Sequence, residues 1–339
     1  MRLTHILAFL ASPLLCGAAV AQSPDIGASD AHLVQDHATA QSGFVPRATW
    51  LGLPAAGTGL SRPGGAWIGG KFFLVGGETT GGARNAFANR FDGPSMTWTV
   101  SPFPMPDPVS NIFGSTCAIG SKIYVVGGYT ASLVPSPTVQ VYDTIADSWS
   151  VMPTPLPAGI WGALAVHVGG TKILVSGGYD GVSSVPTTYI YDVAGVGSVT
   201  MKSAAPTPRY LLSGAYNPAN GKVYSVGGFG TGTVMQAYDV AGDSWTTLAS
   251  LPNDRAGCGV IAAGGKVVAY MGNWTVYRAD GDLYDIATNT WMSAVIPAGP
   301  LAKRAFAYGI LNIPGVIQGG GAFGGWAGAY LTDCSLLRK

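Results

Sequence analysis

Four arginines recur at similar places in a chain of 339 residues that holds only 18 lysines and arginines in all. Arg62, Arg209, Arg255 and Arg304 each stand 14 to 18 residues before a pair of glycines or its weaker copy. A guanidinium is a planar fork of donors that matches a carboxylate, sulfate or phosphate. Several such forks around one opening would hold an anionic ligand. The competing reading is that each Arg ties its own loop to a carbonyl or an Asp, as Asp254 beside Arg255 suggests. In two further repeats the same position falls near Asn111 and at Trp161. After the glycine pairs come Glu78, Arg84, Tyr129, Tyr179, Asp180, Phe229, Trp274, Tyr277, Arg278, Phe323 and Trp326. Tyr and Trp beside a cation suit sugar faces or peptide side chains. The candidate ligand-binding set is Arg62, Asn111, Trp161, Arg209, Arg255, Arg304, Tyr129, Tyr179, Phe229, Trp274 and Trp326. Its cationic side is expected on repeats four to six and its neutral, aromatic side opposite.

Catalytic groups are sparse. Glu78 is the one glutamate of the chain, and it and Asp180 are the weak candidates for a general acid or base. Only one histidine, His167, lies within the repeats, where a satisfied core position is expected. That count speaks against a Ser-His-Asp triad and a zinc cluster, so no metal and no cofactor is expected. Gly228-Phe229-Gly230-Thr231-Gly232 leads to a strand rather than a helix and is not read as a phosphate loop. Asn273-Trp274-Thr275 is a glycosylation sequon. Cys117, Cys258 and Cys334 fall on different blades, too far apart to bridge, and are expected as buried thiols. A net charge of +1 leaves no basic field for nucleic acid.

The elements that must position these residues are short strands. Charged residues make up 10% of the chain, while Gly 50 and Pro 23 accompany a 47% hydrophobic fraction. That composition suits turns and strands, not long surface helices. Apolar runs end in Gly76-Gly77, Gly127-Gly128, Gly177-Gly178, Gly227-Gly228, the weaker Gly272-Asn273, and Gly319-Gly320, at spacings of 51, 50, 50, 45 and 47 residues. An aromatic residue followed by Asp marks Phe91-Asp92, Tyr142-Asp143, Tyr191-Asp192, Tyr238-Asp239 and Tyr284-Asp285, with Thr332-Asp333 as a degenerate copy. Trp98, Trp149, Trp245 and Trp291 follow six residues after that Asp, and Val199 stands nearest in the third repeat. Six units of this period predict an all-β, six-bladed β-propeller. The sixth unit runs out before its Trp, while Trp50 precedes Gly76 by the right interval, 26 residues. The segment around Trp50 should therefore close the ring as the outermost strand of the last blade and remove an exposed edge. Asn220-Gly221 signals a hairpin in the fourth blade.

These marks resemble the Kelch repeat, over residues 48–339. The resemblance implies a propeller that serves as a binding scaffold or an enzyme, and an Arg after a Pro-rich turn fits Pro208-Arg209. Copper oxidases of Kelch architecture need two His ligands and a cross-linked Tyr and Cys, which this chain does not supply. Antiparallel blades put the links between blades and the links from second to third strands on one face, where the site is expected.

Residues 1–21 read as a secretory signal peptide, with Arg2 and His5 before the apolar Ile6–Val20 and Ala19-Val20-Ala21 as the cleavage signal. Residues 22–47 read as a flexible leader. The expectation is an exported, periplasmic or extracellular monomer without a transmembrane anchor. It would act as a binding module for an acidic glycan or peptide. Two alternatives are a sugar mutarotase or epimerase acting on a sialic-acid-like acidic sugar, which would make it an isomerase, and a structural or adhesive envelope protein.

Overall fold

The lysine-led apolar runs Lys71–Val75, Lys122–Val126 and Lys172–Ser176 become the second strands of blades one to three, exposed at the lysine and buried at the next four residues. Buried on both faces, they read as continuous runs rather than alternating ones. The computed structural model describes residues 49–313 and 317–338, so the signal peptide and leader lie outside the described residues. Those described form strands and no helix. None of them offers a helix long and apolar enough to cross a membrane.

Six four-stranded antiparallel sheets make the blades, and each inner strand packs on the inner strands of its two neighbours, closing a circle. Blades one to five each run consecutively outward. The last is composite: Ala307–Ile313, Ile317–Phe323 and Cys334–Arg338 are completed by Thr49–Leu53 as the outermost strand. Trp50 faces Leu337 across that pairing, as Trp98 faces Phe91, Trp149 faces Tyr142, Trp245 faces Tyr238 and Trp291 faces Tyr284. In those four blades the two rings tilt on each other at 5.1–5.3 Å.

The tryptophans also join blades. Trp98, Trp245 and Trp291 donate their indole N–H to Pro54, Ser203 and Ala249 of the preceding blade, and Trp50 does the same to Pro297. Blade three has Val199 opposite Tyr191, and there the Tyr191 hydroxyl reaches the carbonyl of Thr154 instead. The Asp of the aromatic–Asp pair caps the turn that follows: Asp143 accepts from the amides of Ile145 and Ala146, and Asp239 from those of Ala241 and Gly242. Asn220-Gly221 lies in the turn joining Ser213–Asn217 to Lys222–Val226, with Gly221 at φ 68.

The register of the last blade differs from the sequence expectation. Gly319 and Gly320 lie inside the second strand, and the pair that ends it is Gly324-Gly325, at φ 64 and 114 like Gly227-Gly228 at 66 and 123. The strand is two residues longer than its counterparts in blades one to four. A Cβ at Gly320 would lie 2.6 Å from Ile261, and the buried Tyr270 hydroxyl donates to the Gly321 carbonyl, so these glycines make room for blade five. Leu337, not Thr332, takes the aromatic position, and Asp333 lies ahead of the strand.

His167 is buried on an inner strand with its Nε2 at 2.9 Å from the Gly170 carbonyl, and burial lowers its pKa. Cys117, Cys258 and Cys334 are buried and form no disulfide. Burial pushes the thiols of Cys258 and Cys334 up to about 11.

Candidate site at the channel mouth

Six equivalent loops enter the inner strands, and their backbone builds the mouth. The carbonyls of Leu60, Val109, Ile160, Arg209, Arg255 and Lys303 each accept from the second residue of a glycine pair or its Gly272 equivalent in the preceding blade, at 2.7–3.0 Å. Two residues further on, Arg62, Asn111, Gly162, Leu211, Gly257 and Ala305 all have φ between 51 and 63. Hydrogen bonds pass around these six turns in one direction. Arg62 donates to Ala305, Ala305 to Gly257, Gly257 to Leu211, Leu212 to Gly162, Gly162 to Asn111, and Ile112 to Arg62. Left-handed backbone at Arg62, Asn111, Leu211 and Ala305 costs each about 1 kcal/mol or more, a strain the closed ring sustains.

The residue between these two positions faces the mouth, and it pairs through the backbone with the residue after its own blade's glycine pair. The pairs are Ser61 with Glu78, Ser110 with Tyr129, Trp161 with Tyr179, Tyr210 with Phe229, Ala256 with Asn273, and Arg304 with Trp326. This places Trp161, Arg304, Tyr129, Tyr179, Phe229 and Trp326 at the mouth as the sequence suggested. Tyr210 was missed.

Arg209 and Arg255 belong one position earlier and turn into their blades, which corrects their assignment to the ligand site. Arg209 is 2% exposed and donates to the carbonyls of Gly227 and Val234, to Ser225 Oγ and to Gln236 Oε1. It has no carboxylate among these partners, its Nε is unpartnered, and burial pushes its pKa down to about 10. Arg255 is fully buried and grips Asp282 through Nε and Nη2 at 3.0 and 2.7 Å. In blade six the position is Lys303, bound to Asp333 at 2.6 Å and to the Ala322 carbonyl. Phe323, also expected at the mouth, is buried and stacked on Phe72 at 3.9 Å.

The cationic side lies on blades six and one, not four to six. The Arg304 guanidinium sits 3.9 Å from the Trp274 ring centre and 5.1 Å from that of Tyr277, and donates to the Trp274 carbonyl. Arg62 approaches the same Trp274 ring at 5.7 Å while contacting Glu78. Burial, opposed by Tyr277 and reinforced by Arg62, lowers the Arg304 pKa. Glu78 is buried, accepting from Ser110 Oγ at 2.9 Å and paired with Arg84 at 3.1 Å as well as with Arg62. Arg84 also donates to the carbonyls of Tyr129 and Thr130. One carboxylate thus stands against three guanidiniums. Asn111 is buried and donates to Ser110 Oγ, in the second layer of this cluster. Asp180 is exposed and folds back on the amides of Val182 and Ser183, away from Glu78's cluster.

Between the ring under Arg84 and the ring under Arg304 runs an aromatic wall. Tyr129, Trp161, Tyr179, Tyr210, Phe229 and Trp274 follow one another with ring centres 5.1–5.8 Å apart. Trp326 donates its indole N–H to the Tyr277 hydroxyl and meets Tyr330 edge-on. The floor is apolar: Phe113, Leu211 and Ala305 are buried beneath Trp161, Tyr210 and Trp274. Blade two carries two extra residues between its left-handed turn and its inner strand, since Val126 meets Ser115, four after Asn111, where Val75 meets Gly64, two after Arg62. Phe113 rides on that insertion. The mouth is thus a dish floored by these buried side chains. Asn273 donates its amide to the Asp254 carbonyl and is 8% exposed, so the sequon's acceptor nitrogen is already engaged.

A family profile described as Kelch motif matches residues 113–156. The chain is 28% identical over 170 residues to Kelch-like protein 35 of Mus musculus, covering 49% of this chain and 28% of that protein. It is 27% identical over 258 residues to Kelch-like protein 25 of Xenopus tropicalis, covering 70% and 41%. It is 24% identical over 182 residues to Kelch-like protein 23 of Homo sapiens, covering 52% and 31%. The chain thus spans well under half the length of these relatives. Among solved structures, YjhT superposes with a TM-score of 0.67 at 14% identity, over 84% of this chain and 96% of that one.

Proposed function

The chain belongs to the Kelch-repeat β-propeller family, a scaffold for binding proteins or other ligands, and from that premise we propose that its mouth binds an acidic glycan or peptide. One observation carries the reading: Arg62 and Arg304 converge on one face-forming ring, Trp274, and Arg304 has no carboxylate partner among the described residues. An acid group placed between the two forks would complete their hydrogen bonding. The rest of the ligand would lie over the wall from Tyr129 to Phe229, where rings 5 Å or so apart offer apolar faces with hydroxyl and indole handles.

The isomerase alternative needs a group that moves a proton. Glu78 is the carboxylate within the mouth, but its two oxygens already accept from Arg62, Arg84 and Ser110. Binding asks nothing more of it than to hold Arg62 and Arg84 in place. Export, with residues 1–21 as signal and the site facing an extracytoplasmic space, remains part of the proposal.

The test is titration of the protein with acidic and neutral versions of the same oligosaccharide and of the same peptide, at low and high salt. Affinity should favour the acidic forms and fall as salt rises, because the dish is open to solvent. Equal affinity for acidic and neutral forms would end the reading. Anomer exchange of an acidic sugar, followed by NMR with and without protein, distinguishes the isomerase.

A further inference from the structure

Both faces of the ring expose apolar side chains, Ile145 and Val196 among them on turns away from the mouth, but the faces differ in the charges that accompany them. Away from the mouth, lysine–aspartate pairs repeat at the strand ends: Lys71–Asp92, Lys122–Asp143, Lys222–Asp239 and Lys266–Asp285. On the mouth face, the links from second to third strands in blades two to five hold apolar side chains out into solvent. Leu133 is 62% exposed, Val134 52%, Val182 85%, Phe229 41% and Val276 67%. Across residues 129–136, 179–184, 229–234 and 273–277 the sole charge is Asp180, and its carboxylate is spent on its own loop.

These side chains stand on four separate prongs, Leu133 and Val134 sharing one, spaced by Gly, Ser and Thr. A rigid protein partner would need a matching pocket for every prong, whereas a fluid surface needs none. Behind the prongs stands the Tyr and Trp wall, and beside it three guanidiniums face one carboxylate. Apolar tips, amphipathic rings and cations on one face are the three kinds of group that an anionic membrane surface takes up, at its acyl boundary, headgroup zone and phosphates. We propose that the mouth face docks on a lipid bilayer bearing anionic phosphate headgroups, with Leu133, Val134, Val182, Phe229 and Val276 entering the acyl boundary and Arg62 and Arg304 attracting the phosphates. The docking rests on the ligand reading for its anionic preference and shares Phe229 with the aromatic wall, whereas Leu133, Val134, Val182 and Val276 stand outside both the wall and the Arg62–Arg304–Trp274 cluster.

The experiment is co-sedimentation of the protein with vesicles of phosphatidylcholine alone and of equimolar phosphatidylcholine and phosphatidylglycerol, with inorganic phosphate as soluble competitor. Wild type should pellet with the mixed vesicles and resist competition by phosphate. The double variant Val182→Ser with Val276→Ser should lose about tenfold or more in partitioning, because two exposed apolar side chains no longer leave water. Its circular dichroism melt should match wild type, since both residues are solvent-exposed. Arg304→Ala should reduce the preference for phosphatidylglycerol while keeping the prong dependence. No pelleting of wild type, or pelleting that ignores the prong substitutions, overturns the proposal, as would prong-dependent capture of a soluble protein without vesicle binding. If Arg304→Ala leaves affinity for a soluble acidic ligand intact while the prong variant loses vesicles, the ligand reading falls and the docking stands.

Discussion

Lys303 and Arg304 are neighbours in sequence and opposites in setting. Lys303 is fully buried, its ammonium fixed between Asp333 and the Ala322 carbonyl, and burial lowers its pKa against the pull of Asp333. Arg304 lies against Trp274 and Tyr277 at the rim of the dish. The same division separates Arg209 and Arg255, turned into blades four and five, from Arg62 and Arg84 at the mouth. In a strand-entering loop a shift of one residue exchanges inside for outside. Positive residues at two adjacent positions of one repeat can therefore be a buried strut and a side chain at the mouth, and composition alone cannot separate them.

The sharpest way to break this division is Arg255→Ala. It removes the guanidinium that faces the buried Asp282 carboxylate, leaving neutral donors such as Asn253, and should destabilise the fold by about 3–5 kcal/mol, measured by chemical denaturation. Replacing both, Arg255→Met with Asp282→Leu, should recover much of that loss. If Arg255→Ala instead left stability unchanged and weakened ligand binding, the strut assignment would be wrong. Next comes the neighbouring pair. Arg304→Ala should cost about 1.5–3 kcal/mol in affinity for an acidic ligand, read by calorimetry, with little change in melting temperature. Lys303→Met should do the reverse, shifting the melting temperature and sparing affinity.

A smaller effect should sharpen the contrast within the struts. Arg209 alone faces an amide, Gln236, where Arg255 faces an aspartate. Gln236→Glu should raise stability by about 1 kcal/mol, the ordinary worth of a hydrogen bond, by giving this buried cation a counter-charge. A lower unfolding midpoint would show that Arg209 is satisfied as it stands. The smallest effect concerns the face away from the mouth. The Ser95 amide on Asp92, the Ala146 amide on Asp143 and the Thr171 hydroxyl on Asp192 hold these carboxyls below the usual range. A depressed carboxylate contributes stability above its unfolded value of about 3.9 and loses it as pH falls through the folded value. Melting temperature should be flat above about pH 5 and fall below about pH 4, less steeply in Asp143→Asn.

The fold was legible because its marks are backbone and packing requirements repeated around a ring. Glycine pairs turn left-handed, and Trp50 could be recognised as the last blade's missing tryptophan by interval alone. The last blade misled because Gly319-Gly320 imitates the pair from inside a strand, where glycine at 320 is demanded by the close approach of Ile261 rather than by a turn. Trp326 just after Gly325, like Tyr129 just after Gly128, was the signal for the true register. At the site, the aromatic residues following the glycine pairs were placed correctly because that position is fixed by the turn. Arg209 and Arg255 were not, because a cation's own type does not tell which way it points. Their counterparts Leu60, Val109 and Ile160 are apolar and buried, and that company marked the position as interior.

The composite blade has a mechanical consequence. Thr49 pairs with Arg338 and Leu53 with Cys334, so the two ends of the described chain leave the sheet side by side. A load applied between residues 49 and 338 would act on one rung of the ladder at a time, peeling the strands like a zipper instead of shearing five residues together. The seam that completes the ring at rest is the place where tension would open it, at forces far below those the other blades would withstand.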